Sequence, residues 1–161
     1  VAGAQCVHRN ALRLEEALIT IEQYFQAKPH DEEDEITASD MLTRVNELID
    51  EAERLLSFRR AICPNTGSEI SGSKGGAGDG GFRLQTSTTG SARSSHKEAR
   101  AVDIFDPGGH LDDWLDDFER SGGGNTMLKK HGLYRESPNH TEGWTHLTTR
   151  SPSSGRRTFN P

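Results

Sequence analysis

Residues 94–105 read Ser-Ser-His-Lys-Glu-Ala-Arg-Ala-Val-Asp-Ile-Phe, and this stretch decides the fold. Its last five residues, 101–105, follow the alternating pattern of a β-strand and are rich in residue types that favour strands. Both features predict a strand here. Asp103 lies inside that strand, where a carboxylate is costly to bury unless something pairs with it. His96 arrives from the preceding loop, so the pattern predicts a cation shared by these two side chains.

A metal ion held this way requires a third ligand, and the best candidate lies near the C-terminus. Residues 143–147 read Gly-Trp-Thr-His-Leu and supply His146. Two histidines and one carboxylate form a set that suits zinc with one position left open for water. The predicted metal ligands are therefore His96, Asp103 and His146, and the predicted cofactor is Zn²⁺.

The pattern Ser94-x-His96-x-x-Ala99-x-Ala101-x-Asp103 resembles the S-x-H-x-x-G-x-A-x-D signature of the zinc D-Ala-D-Ala carboxypeptidases. Relatives of that family include phage endolysin peptidases and the hedgehog amino-terminal domain. Trp144-x-His146 matches the W-x-H strand that carries the family's last metal ligand. The resemblance covers roughly residues 62–161, and it departs from the family at Ala99, where glycine is usual.

This resemblance implies a zinc-dependent peptidase that acts on peptidoglycan stem peptides, with metal-activated water as the nucleophile. It leaves open whether a terminal D-alanine or an internal bond is cut. Arg83, within Gly81–Arg83, resembles the family's substrate-binding arginine. Its guanidinium group would bind a carboxylate through two parallel hydrogen bonds. Ser94 is a second candidate for binding substrate or for orienting the metal ligands.

The general base is less clearly marked, because many family members carry an acid three residues before the last histidine and Gly143 stands there. Glu136 and Glu142 are the two catalytic candidates. If the predicted hairpin strands pair, alternation would place Glu136 on the same face of the sheet as His146. Glu142 lies four residues before His146 in the loop. His140 is a weaker option. The alternative function is a non-catalytic module, either a metal-stabilised peptidoglycan binder or a phage structural component.

The C-terminal part predicts a hairpin of residues 133–136 and 144–148, with Trp144, His146 and Thr148 on one face. Leu111, Trp114, Leu115 and Phe118 mark an amphipathic helix, and a shorter helix is predicted from Asn125 to His131. The arginines near the end of the chain indicate a solvated tail. The predicted fold class is α+β, a small antiparallel sheet carrying the zinc site with N-terminal helices packed against it.

Residues 1–60 predict a helical segment, which we expect to belong to the same domain as the peptidase-like core at 61–161. One helix would carry Leu14, Leu18, Ile21 and Phe25 at helical spacing. A second would open at Thr37 with Asp40 as a capping partner, after a solvated acidic loop at 31–35. This segment accounts for the net charge of −6.

Composition narrows the remaining functional classes. The neutral charge balance of residues 61–161 offers no basic face for nucleic acid, and no apolar run approaches the ~20 residues of a membrane helix. The glycines at 72–81 fit neither a P-loop nor a dinucleotide fingerprint. Cys6 and Cys63 read as reduced thiols, and a disulfide between them is the alternative. No leader peptide is visible. We therefore expect a protein that stays in the cytoplasm, is released by phage lysis, or is associated with a virion.

Overall fold

The computed structural model describes residues 18–55 and 79–161. In these two ranges, the helices are α1 (Ile21–Phe25), α2 (Glu32–Leu55), α3 (His110–Asp116) and α4 (Thr126–His131). The strands are β1 (Ala101–Phe105), β2 (Glu119–Arg120), β3 (Gly124–Asn125), β4 (Tyr134–Glu136), β5 (Trp144–Thr148) and β6 (Thr158–Phe159). The predicted α+β class is confirmed.

The main sheet has four strands in the order β1-β5-β4-β6. The predicted strand at 101–105 and the predicted hairpin are both present, and β5 pairs antiparallel with β1 and with β4. The expectation of an all-antiparallel sheet is wrong at one edge, because β6 runs parallel to β4. The chain crosses over after β5 and returns alongside β4. Part of the expected solvated tail is therefore built into the sheet.

Alternation along the strands separates the two faces of this sheet. Val102, Ile104 and Leu147 point to one face and are fully buried in the hydrophobic core. Asp103 and His146 point to the other face. The core also takes in the apolar side of α2, namely Met41, Val45, Leu48, Ile49 and Ala52.

Helix α2 begins five residues before the predicted start at Thr37. Asp31 and Asp34 each accept a hydrogen bond from the other's backbone N–H, at 2.8 and 3.2 Å, which closes a cap at Glu32. Carboxylates are also favoured at the positive end of a helix. The acidic run at 31–35 is thus mostly the first turn of the helix, and the expected loop is wrong.

The first predicted helix is shorter than expected. Thr20 and Gln23 form a capping box that starts α1 at Ile21, so Leu18 lies before the helix. Tyr24 ties this helix to the sheet, since its hydroxyl donates to the Ala101 carbonyl at 2.9 Å. Leu14 and both cysteines lie outside the described residues.

Helix α4 ends as the sequence predicts, whereas α3 ends earlier than expected. Asn125 caps α4 by accepting from the Leu128 N–H at 3.0 Å, and Gly132 stops it in the left-handed region at φ +66°. Helix α3 ends at Asp116, so Phe118 lies beyond it. Within the described ranges, no helix is long and apolar enough to cross a membrane.

Candidate metal centre

Two of the three predicted ligands lie side by side because of the strand register. Asp103 in β1 pairs directly with His146 in β5. Residues that face each other on antiparallel strands point to the same side of the sheet, with Cβ atoms about 5 Å apart. The sheet therefore brings together two side chains that are 43 residues apart in the chain.

The third ligand, His96, comes from a 3₁₀ turn at Ser95–Glu98 that precedes β1. Ala99 ends this turn with φ +56°, in the left-handed region. Glycine adopts this region without a steric penalty, which explains why the resembled family uses glycine here. The reversal at Ala99 turns His96 back over the strand that carries Asp103.

The three ligand atoms converge on one point. His146 Nδ1 lies 2.8 Å from Asp103 Oδ1, and His96 Nε2 lies 3.2 Å from each of these atoms. A tetrahedral zinc ion with ligands at 2.0–2.1 Å separates its ligand atoms by about 3.3 Å. The triangle is therefore close to the size that such an ion requires, and all three residues are buried.

The hydrogen bonds of His96 leave a lone pair directed at this point. Its Nδ1 lies 2.8 Å from the Gly81 carbonyl oxygen, which can only accept, so Nδ1 carries the proton. Burial lowers the pKa of His96, which favours the neutral ring. The bare Nε2 then faces Asp103 Oδ1, another acceptor, and a bound cation would resolve this contact.

Asp103 divides its two oxygens between different partners. Oδ1 faces the two histidines, while Oδ2 accepts a hydrogen bond from Arg83 Nη2 at 3.2 Å. The cluster of His96, Asp103 and His146, called here the ligand cluster, thus contains an anionic carboxylate and could hold a metal ion.

A cavity of about 640 Å³ opens directly over the ligand cluster. Its lining combines aromatic and proline side chains with several hydroxyl and guanidinium groups. The residues on its walls include Thr89, Ser91, Arg93, Ser94, Trp144, Thr148, Arg150, Ser151 and Phe159. Such a concave site, with polar groups around a metal-binding cluster, is suited to a small or extended polar ligand.

The structure separates the two candidate bases. Glu136 lines the cavity, and because Arg135 pairs with Leu147, the next residue of β4 lies beside His146. Burial raises the pKa of Glu136, and His146 partly opposes this shift. Glu142 is exposed and is not part of the cavity lining. Gly143 has φ +94°, and an added Cβ there would meet open space.

The two predicted substrate-binding residues also lie at the cavity, whereas His140, the weaker candidate base, is exposed and does not line it. Ser94 forms part of its wall, and Arg83 lines it while bonded to Asp103. Phe159 was not predicted, because its strand β6 has only two residues and carries no recognisable pattern. It lies edge-on to His146, with ring centroids 6.4 Å apart.

Comparisons with protein-family models, with curated proteins and with solved structures find no match to this chain. Within residues 18–55 and 79–161, the ligand cluster is the group of histidine, cysteine and acidic side chains whose geometry fits a metal ion. The functional argument therefore depends on this geometry and on the motif that carries it.

Proposed function

We propose that the chain is a zinc-dependent peptidase that hydrolyses a bond in peptidoglycan stem peptides. The observation that carries the proposal is the convergence of His96, Asp103 and His146 on one point at the wall of a cavity. Three protein ligands with one open position are typical of catalytic zinc sites, whereas structural sites have four. The substrate class is supported by the motif at 94–103 and by Trp144-x-His146.

A zinc ion in this position would polarise a peptide carbonyl and lower the pKa of a bound water to about 7. The protein would hold it through His96 Nε2, His146 Nδ1 and Asp103 Oδ1. The Gly81 carbonyl fixes the ring of His96, and Arg83 fixes the carboxylate of Asp103. Such outer contacts orient the ligands of metal sites.

Glu136 is the general base in this proposal. It faces the cavity from the strand beside His146, and burial raises its pKa, which makes the carboxylate a stronger proton acceptor. Glu136 would take a proton from the attacking water and deliver one to the leaving amine. Ser94, on the cavity wall, offers a hydroxyl to the backbone of the substrate peptide.

The test combines metal analysis with a cleavage assay. Purified protein with one equivalent of zinc is incubated with muropeptides, and the products are separated by liquid chromatography and mass spectrometry. We expect cleavage that a chelator abolishes and zinc restores. Glu136→Gln should reduce the rate by about 10²–10⁴-fold. Glu142→Gln is the matched control and should retain the wild-type rate. Equal losses in both variants would contradict the role of Glu136.

A non-catalytic module is the second candidate, and Gly143 favours it. This residue occupies the position where the resembled family often has its acid, and it has no side chain to replace that group. The module would bind zinc and peptidoglycan, or serve as a structural component of a phage particle, without cutting a bond. Zinc and muropeptide binding with no product would establish this candidate over the peptidase.

A further inference from the structure

A five-residue segment, Asp79–Arg83, supports two of the three metal ligands. The Gly81 carbonyl bonds His96 Nδ1 at 2.8 Å, and the Gly80 carbonyl accepts from the Asp103 backbone N–H at 2.8 Å. The Arg83 backbone N–H in turn donates to the His96 carbonyl at 3.2 Å. This supporting segment therefore fixes both the loop and the strand from which the ligands project.

The side chain of Arg83 completes the support. Its Nε donates to the Asp79 carbonyl at 2.7 Å, and its Nη2 donates to Asp103 Oδ2 at 3.2 Å. Only 11% of the side chain is exposed. A planar guanidinium with fixed donor directions is well suited to holding a carboxylate in one orientation.

We propose that Arg83 is a positioning residue that reserves Asp103 Oδ2 for itself and so makes Asp103 a one-oxygen metal ligand. Aspartate binds metals through one or both oxygens. If both oxygens of Asp103 were available, the second would compete for the position that the reaction needs open. The inference rests on the metal site of the proposed function, and it goes beyond the expected contact between Arg83 and substrate.

The direction of the effect on metal affinity distinguishes positioning from charge. A guanidinium near a bound cation repels it, so charge alone predicts that removing Arg83 strengthens metal binding. Loss of a positioning partner instead weakens metal affinity, by about 10–100-fold in known sites. These two explanations predict opposite signs for the same substitution.

The experiment measures zinc affinity of the whole protein by competition with a chromogenic chelator. The variants are Arg83→Met, which removes all donors while keeping side-chain length, and Arg83→Lys, which keeps the charge but not the fork. Arg93→Met is the matched control, because Arg93 lines the same cavity and loses the same charge. We expect Arg83→Met to bind zinc about 10–100-fold more weakly, Arg83→Lys to fall between, and Arg93→Met to match the wild type.

Cobalt substitution supplies a second readout that a general loss of stability would not move. Cobalt in the wild-type site should give the intense visible absorption of a four-coordinate ion. In Arg83→Met, coordination by the freed Oδ2 of Asp103 should weaken and shift that absorption. If Arg83→Met does not fold, as judged by circular dichroism, the Arg83→Lys measurements decide.

Unchanged or tighter zinc binding in Arg83→Met would overturn the positioning role, and a wild-type cobalt spectrum in that variant would overturn the one-oxygen coordination of Asp103. If the wild type itself bound zinc while Arg83→Met behaved identically, only this inference would fail. If the wild type bound no zinc, the inference and the proposed function would fail together. The two failures are therefore distinguishable within one titration series.

Discussion

Two ionic clusters lie on opposite faces of the same sheet, and they differ in how well their donors and acceptors match. Alternation along β4 and β5 places Arg135 beside Leu147 on the core face, while His146 and its partner Asp103 point to the cavity. Arg135 is 1% exposed. Its side chain bonds four others, those of Asp112, Asp116, Glu119 and Thr158. Arg135 and these four partners are called here the arginine cluster.

The arginine cluster is satisfied internally. Nε of Arg135 bonds Thr158, Nη1 bonds both the carbonyl and the carboxylate of Asp112, and Nη2 bonds Asp116 and Glu119. These contacts match the five N–H donors of a guanidinium. In the ligand cluster, by contrast, two acceptors face each other. The comparison suggests that a cluster whose donors and acceptors match stabilises the fold, whereas one in which two acceptors face each other could hold a cation.

The largest expected effect concerns the arginine cluster. Arg135→Met leaves the buried carboxylate of Asp112 without its cation, so the free energy of unfolding should fall by about 3–5 kcal/mol. Arg150→Met is the control, because its ion pair with Glu98 is 3.4 Å long and about 40% exposed; it should cost less than ~1 kcal/mol. Urea unfolding measures both. Equal losses would remove the contrast between buried and exposed pairs.

The ligand cluster should respond to metal instead. Zinc at about 100 times its dissociation constant should stabilise the protein by about 2.7 kcal/mol, because it binds the folded state alone. Asp103→Asn keeps the shape of the side chain but removes the anionic ligand, so most of this gain should disappear. Thermal unfolding with zinc and with chelator measures the difference. A gain of the same size in Asp103→Asn would place the metal elsewhere.

The stability that the arginine cluster contributes should depend on pH, because it contains the buried acid Asp112. Burial raises the pKa of Asp112 to about 6 from an ordinary value of 3.8, with Arg135 opposing this shift. The folded state therefore binds this proton more tightly than the unfolded state. The resulting stability is present below pH 4 and is lost as pH rises through 6, by on the order of 2 kcal/mol.

Asp112→Asn, which resembles the protonated acid, isolates this contribution. We expect its stability relative to the wild type to increase between pH 4 and pH 7, as measured by urea unfolding at each pH. Asp113→Asn on the same helix is the control, since Asp113 is exposed. If the free energies of unfolding of Asp112→Asn and the wild type differed by the same amount at every pH, the raised pKa of Asp112 would be contradicted.

The smallest expected effect is at Ala99, which sets the direction of His96. Ala99→Gly relieves a left-handed backbone conformation that costs about 1–2 kcal/mol. The substitution also removes a buried methyl group and raises the conformational entropy of the unfolded chain, and both of these changes destabilise the fold. These effects oppose each other, so stability should change by less than ~1 kcal/mol. Zinc affinity should stay at the wild-type value; a tenfold loss would show that the methyl group itself supports the ligand cluster.

The sequence was sufficient for the strand that carries Asp103, for the hairpin and for the fold class, because these depend on local alternation. It placed the start of α2 wrongly, since the reciprocal bonds between Asp31 and Asp34 outweighed the capping signal at Thr37. It also missed β6, which is too short for a periodic pattern and is held by its pairing with β4.

The ligand cluster was predicted as a set of residues, and the structure brings all three within contact distance. Its supports were not predicted, because the bonds from the Gly81 carbonyl and from Arg83 depend on how the loop folds over β1. Strand parity favoured Glu136 only on the assumption of a pairing register. That register now places Glu136 at the cavity, while its catalytic role stays a prediction.

The most direct test of the account is anomalous diffraction at the zinc absorption edge, from crystals grown with one equivalent of zinc. We expect one strong peak about 2.0–2.1 Å from His96 Nε2, His146 Nδ1 and Asp103 Oδ1. No peak at this point, with the two imidazoles bonded only to the carboxylate and the Gly81 carbonyl, would contradict the metal centre and the peptidase built on it.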